Sequence, residues 1–377
     1  MIEPEEFWWN NVTGPQAFIR QTMEAIGEGN SPVLQLPVDL PWRHCMRRAF
    51  IDKIRDHTFI EDPYFETIDS ADECSDQDIG DFLLSRYAGR SIAGGYRPRS
   101  GLTVQQYMEK YGVLKGKLLW IKGIPAKDIP RWCAFCRGFK TPSLENGCFV
   151  LECRGELPAT LTPQLKIIRL EDFVSRYDVQ LFSAFLLSSQ ENALPKRWQN
   201  YVASVSSRLC GLDAELCESM ILYGNWFTED PRELFQRETA ARKDHDGMQD
   251  APAENTPYKE ELTQRLWAAQ IEILFPRIEA LRIRIIDILH GELASALKAM
   301  PLKQFEQTVV HPEELELGTI IFLMNQRWGS GYEYLVSVPD EKMRTAIHTL
   351  RDCRNLLAHR HQCCTPGQVE FILTYNV

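Results

Sequence analysis

The sequence predicts an α/β N-terminal domain with a mostly parallel sheet, followed by an all-α helical bundle. Three observations carry this. Up to residue 228, short apolar runs alternate with amphipathic stretches. A polar, charged segment then spans 229–256. From 257 to 377 apolar residues recur at helical spacing, with short gaps between runs. Strands separated by helices build βαβ units. Long helices joined by short loops build antiparallel bundles.

Taken in order, the apolar runs Val33–Leu36, Leu118–Ile121, Cys148–Leu151 and Lys166–Leu170 read as strands. Between them, Trp42–Arg55, Asp78–Tyr87 and Val104–Tyr111 have helical patterns, as do Asp172–Ser189 and Trp198–Tyr223 after them. From Glu61 to Asp81 the chain carries Glu61, Asp62, Glu66, Asp69, Asp72, Glu73, Asp76, Asp78 and Asp81. This stretch reads as a solvated acidic loop, because it lacks the regular ligand spacing of a calcium loop. The linker includes RKDHDGMQDAPAENTPYKEE and is poor in large apolar residues, too poor to build a core. At its end Thr256 reads as a helix N-cap, with Pro257 at the first helical position. Leu262, Leu266, Ile271 and Leu274 then form one stripe, and Pro276 restarts or kinks the helix. Ile278, Leu281, Ile285, Ile288, Leu289, Leu293 and Leu297 continue it. A third helix is expected over about Glu313 to Gln326 and a fourth over about Asp340 to His361.

Composition narrows the function classes. The 377 residues are 44% hydrophobic and 25% charged, as in ordinary soluble domains. No apolar run is long enough for a membrane-spanning helix. The start, MIEPEEFWWNNV, has no basic region followed by an apolar one, so a cytoplasmic location is expected. In that reducing setting the eleven cysteines are expected mostly as free thiols, Cys45, Cys210, Cys217 and Cys353 among them. A net charge of −10 argues against a general, sequence-blind nucleic-acid binder. Any contact with nucleic acid must come from a local basic patch.

The first strand runs into a helix through Pro37-Val38-Asp39-Leu40-Pro41-Trp42. A phosphate-binding loop at such a junction needs glycines, a lysine and free backbone N–H groups. This loop has no glycine or lysine, and its two prolines lack N–H groups. The strand KLLWIKGIP ends in Lys122-Gly123 rather than in an acidic pair. Cys133, Cys136, Cys148 and Cys153 suit either a four-cysteine zinc site or buried thiols; the sequence leaves both open. Together with CRGFKTPSLENGCFVLEC, residues 30–225 vaguely resemble an AAA-type or STAND-type ATPase core without its nucleotide motifs. The resemblance implies a degenerate, non-hydrolysing scaffold; an unrelated α/β domain is the other reading.

The C-terminal segment LRDCRNLLAHRHQC carries the sharper signal. Stepping 100° per residue from Leu350, Met343, Ile347 and Leu357 fall on one stripe, and Arg354 lies inside it at about 40°. A guanidinium there needs a partner or a cleft; Glu314 and Glu316 are candidate partners. RNLLAH, Arg354 to His359, matches the R-x4-6-H signature and the RN dipeptide of HEPN domains. Residues 256–377 resemble that family in helical content and in the motif's place at the end of the last long helix. The resemblance implies metal-independent RNA cleavage without a cofactor, by a homodimer formed through the helical domain. Arg354, Asn355 and His359 would be catalytic, and Arg351, Arg360 and His361 would contact RNA. It also implies an effector or toxin of a prokaryotic antiviral defence system, with the N-terminal domain sensing or binding a partner protein. On an ideal helix Arg354 and His359 stand about 140° apart, so either the helix distorts at His359 or a second subunit completes the site. The rival reading is a non-catalytic HEPN-like adaptor within a larger defence complex.

Overall fold

The computed structural model describes residues 2–55, 64–74, 77–97, 101–139, 146–155, 157, 166–190, 193–241, 256–304, 307–329, 331–359 and 362–376. The chain divides into two compact units. One is Met1–Phe182 with Gly211–Glu215, and the other is Ser183–Cys210 with Leu216–Val377.

The first unit is α/β. In chain order it runs α1 (Pro4–Asn11), α2 (Thr13–Gly27), β1 (Val33–Leu36), α3 (Arg43–Arg55), β2 (Tyr64–Asp69) and the single turn α4 (Ser70–Glu73). Then come α5 (Ile79–Tyr87), α6 (Arg90–Ala93), α7 (Val104–Tyr111), β3 (Lys117–Lys122), α8 (Ile129–Arg137), β4 (Cys148–Arg154), β5 (Ile167–Arg169) and the start of α9 (Arg176–Ser189). The five strands form one sheet in the order β2-β3-β4-β1-β5, and every pairing is parallel. The most apolar runs, β3 and β4, take inner positions, where both faces are covered. Alternation divides their side chains between the two faces. Leu119, Ile121, Phe149, Leu151 and Cys153 join the core beneath α5, α7 and α8. Trp120 faces the opposite way and packs edge-on against Phe50 of α3, with ring centroids 5.0 Å apart.

The acidic stretch corrects its sequence reading. It is not a solvated loop: it holds edge strand β2, and Ile68 of that strand is fully buried. Asp69 and Asp78 cap α4 and α5 by accepting backbone N–H groups. Glu66 and Glu73 pair with Arg86. Four of the carboxylates are spent on caps and ion pairs, which is why their density hid a strand. Glu61, Asp62 and Asp76 lie outside the described residues.

Among the described residues the second unit is mostly helical, with one short antiparallel strand pair and an isolated bridge between Arg327 and Tyr334. It contains the end of α9, α10 (Lys196–Cys210), most of α11 (Ala214–Tyr223), α12 (Pro231–Ala241), α13 (Thr256–Ile288) and α14 (His290–Ala299). It continues through the hairpin β6 (Lys303–Gln304) and β7 (Gln307–Thr308), then α15 (Leu317–Met324), α16 (Glu341–Ala358) and α17 (Pro366–Thr374). The long helix α13 packs against α10, α12, α16 and α17. Three expectations change. The stretch Trp198–Tyr223 is two helices, because Gly211 takes a left-handed φ of 64° that a continuing helix cannot use. The segment read as linker begins with α12, whose Leu234 and Phe235 are buried; 242–255 lie outside the described residues. The helical unit therefore starts well before residue 257 and takes in α10. Pro276 sits inside an unbroken α13, where Leu274, Ile278 and Leu281 are fully buried on either side of it. Among the described residues no helix is long and apolar enough to cross a membrane.

Candidate active site

The candidate residues stand at the C-terminal end of α16. Asp340 opens this helix by accepting the Lys342 N–H at 2.8 Å. Ala346, Ile347, Leu350, Cys353 and Leu357 form its buried stripe. The helix stops at Ala358, three residues short of the expected end. His359 leaves it in an extended conformation, φ −98° and ψ 120°. The 140° separation expected for Arg354 and His359 on a continuous helix therefore does not apply, because His359 is not helical.

Arg354 is about one-third exposed, at 34%, and its Nη2 lies 3.4 Å from Glu316 Oε2 at the N-terminal end of α15. Of the two carboxylates the sequence offered, Glu316 is the partner. Arg351 pairs with Asp352 at 2.7 Å. In both arginines Nε is buried and finds no hydrogen-bond partner among the described residues. Asn355 and His359 are exposed. Among the described residues no hydrogen bond joins Arg354, Asn355 and His359, so one chain does not assemble them into a bonded constellation. Arg360 and His361 lie outside the described residues.

The segment after His359 is held from α13. Trp267 Nε1 donates to the Leu357 carbonyl at 3.0 Å. Gln270 is fully buried; its Oε1 accepts the Cys364 N–H at 2.7 Å and its Nε2 donates to the Cys364 carbonyl at 3.0 Å. Cys353 and Cys364 share a hydrogen bond that lowers the Cys353 thiol and raises that of Cys364.

The first unit holds a second site of interest, where β1 ends. The chain leaves β1 toward β2, across β4 and β3, and leaves β4 toward β5, across β1. Neighbouring strands departing in opposite directions mark the place where α/β sheets bind ligands. Here that place is filled from within. Glu152 of β4, 3% exposed, accepts from Arg43 at 2.9 Å, from Arg47 at 3.0 Å and from Trp120 Nε1 at 2.8 Å. Arg43 also donates to the Pro37 and Val38 carbonyls at 3.4 and 3.1 Å. The loop thus turns carbonyls toward a guanidinium, whereas a phosphate nest presents N–H groups. Trp42 takes a φ of 41° and gives its N–H to Glu215 at 3.0 Å. Lys122 at the end of β3 pairs with Asp69 at 3.0 Å. Titration of the full chain with ATP is expected to give no binding heat at millimolar nucleotide; a saturable signal would refute this account of the loop.

Sequence reasoning missed the Glu152 cluster, although a signal was present. A lone carboxylate inside the apolar run CFVLECR has to find cations. Cys133, Cys136, Cys148 and Cys153 are all buried. Burial pushes the Cys148 and Cys153 thiols up to about 12 and raises Cys133 and Cys136 as well. Among the described residues no group of three or more His, Cys, Asp or Glu side chains is placed to hold a metal ion.

No family model matches the chain, and no curated protein matches it. Among solved structures it is similar to Cdc6p from Pyrobaculum aerophilum, at 12% identity over 74% of this chain and 76% of that chain, with a TM-score of 0.34. A likeness this distant carries no inference about chemistry.

Proposed function

We propose that the chain is a metal-independent RNA endonuclease of the HEPN type, acting as a homodimer formed through its helical unit. The observation that carries this is the end of α16: an exposed asparagine and an exposed histidine beside an arginine that a carboxylate steadies. An imidazole moves protons near neutral pH. It can take the ribose 2′-hydroxyl proton or protonate the leaving oxygen. A guanidinium clamps the phosphate and stabilises charge as it develops. Asn355 orients the phosphate or the imidazole. With the 2′-hydroxyl as nucleophile, cleavage is confined to RNA and leaves a 2′,3′-cyclic phosphate. No cofactor enters this chemistry. Because one chain leaves the three residues unjoined, a second copy is assigned the other half of the cleft.

In this reading Arg351, Arg360 and His361 line the RNA path. The α/β unit is a degenerate ATPase-like scaffold that senses a trigger or binds a partner protein. The setting is a cytoplasmic effector or toxin of a prokaryotic antiviral defence system. One observation favours a second reading, a non-catalytic adaptor: Arg354 already has a partner in Glu316.

The test incubates wild-type protein, Arg354→Ala and His359→Ala with total RNA and tRNA in EDTA, and analyses the product ends. Cleavage by the wild type alone, with cyclic phosphate ends, supports the nuclease. Persistent silence of the wild type, also with neighbouring gene products added, supports the adaptor. Glu316→Gln separates the readings further. An exposed ion pair is worth about 0.5–1 kcal/mol, so releasing Arg354 is expected to tighten RNA binding about two- to fivefold by fluorescence polarisation. Unchanged affinity would remove Arg354 from the RNA site.

A further inference from the structure

We propose that Trp267 and Gln270 of α13 are positioning residues that determine where His359 stands; the catalytic part of this inference rests on the nuclease reading above.

The argument starts from how α16 ends. Helices that stop cleanly often do so at a glycine in the left-handed conformation. Here the stop falls at His359, which is extended, and the following residues through Thr365 include no glycine or proline. The last carbonyls of a helix need donors from somewhere. The His359 N–H reaches Leu356 O at 3.2 Å, and the Trp267 indole reaches Leu357 O at 3.0 Å. If the helix continued, the N–H of residue 361 would take that carbonyl instead. The indole is thus a stop placed on the outside of the helix.

The second fixed point lies five residues beyond His359. Gln270 holds both backbone groups of Cys364, as a neighbouring strand would. Its Nε2 also lies 3.2 Å from the Tyr201 hydroxyl, which fixes the amide from behind. Cys363 Sγ reaches the Thr263 carbonyl at 3.6 Å. Thr263, Trp267 and Gln270 are four and three residues apart, so they share one face of α13. That single face grips the chain on both sides of His359. The chain turns directly after His359, whose carbonyl accepts the Gln362 N–H at 3.2 Å; a continuing α-helix would give that carbonyl to the N–H of residue 363. Continuing α16 would therefore break this turn and shift Cys364 off Gln270. The two anchors favour an extended 359 and oppose a helical one.

The test uses the full chain, with Trp267→Phe and Gln270→Met. The first keeps the ring and removes the donor; the second keeps the length and removes all three hydrogen bonds of the amide. One readout is the carbon-proton spectrum of histidine-labelled protein, with His359 assigned from its absence in His359→Ala. The other is hydrogen exchange at the His359 amide. Both variants are expected to move the His359 resonance, to leave His44, His290 and His348 in place, and to speed exchange of that amide about tenfold or more. In the cleavage assay kcat is expected to fall about 10–100-fold with KM unchanged. A spectrum and exchange rate unchanged in both variants would overturn the inference, whatever the cleavage result. Movement of His359 in a chain whose wild type never cuts RNA would uphold the positioning and sink the nuclease reading instead. If Gln270→Met fails to fold, Trp267→Phe carries the test by itself.

Discussion

On the proposed nuclease reading, His359→Ala is expected to lower RNA cleavage by a factor of about 10²–10⁴, the range supplied by a positioned general acid or base. Arg354→Ala is expected to lower it by about 10²–10³, the loss typical of removing one group that stabilises developing charge. The two losses should differ in kind. The histidine variant should lose turnover while still binding RNA, because an imidazole contributes little to holding the polyanion. The arginine variant should lose both, because a guanidinium contacts the phosphate before and during reaction. Single-turnover rates measured beside fluorescence polarisation separate these. Neither substitution should unfold the protein, since His359 is exposed and Arg354 is paired only near the surface. A histidine variant that cuts at the wild-type rate would end the nuclease reading.

Glu152→Ala is expected to destabilise the α/β unit by about 3–5 kcal/mol, the cost of removing one member of a buried ion pair. The reason is what it leaves behind. Arg43 and Arg47 are 8% and 12% exposed, and Glu152 is the carboxylate they share. Without it, two guanidinium charges lose their shared carboxylate in a low-dielectric layer between α3 and the sheet, and the Trp120 indole loses its acceptor. Glu152→Gln should cost less, because the amide oxygen still accepts while the charge is lost. In a domain of this size about 1 kcal/mol moves the melting temperature by roughly 2–4 °C. A fall on the order of 10 °C in the first calorimetric transition is therefore expected for Glu152→Ala. A shift below about 2 °C would mean that the cluster is solvated and does not lock the β1 loop.

The two units differ in how openly they show themselves in sequence. β1, β3 and β4 were legible because buried parallel strands are continuous apolar runs, and Val33–Leu36 has the expected bounds. Strand β2 was hidden because an edge strand buries little; Ile68 is its one buried residue among flanking carboxylates. The sequence reading holds no helix at α17, although Thr365, Pro366 and Gln368 spell a capping box with proline at the first position, and the structure makes both of its hydrogen bonds. Helix α12 reads as linker because Leu234 and Phe235 are its main apolar anchors among charged neighbours. Such a short stripe becomes meaningful only once α10 and α13 are there to receive it.

The candidate site divides the same way. The residue types at Arg354, Asn355 and His359, and their place near the end of an amphipathic helix, follow from the sequence, because local periodicity and side-chain chemistry are carried by the chain itself. The sequence likewise determined that the loop after β1 lacks glycine, lysine and two N–H groups. Tertiary structure decided that Glu316 holds Arg354, that Glu152 gathers Arg43, Arg47 and Trp120, and that α16 stops at Ala358. Each of these depends on partners between 32 and 109 residues away along the chain, from the Trp120–Glu152 bond to the Arg43–Glu152 bond. An ion pair or a helix stop built at such separation leaves no periodic trace. It exists only after the helices and strands that carry its two halves have packed together.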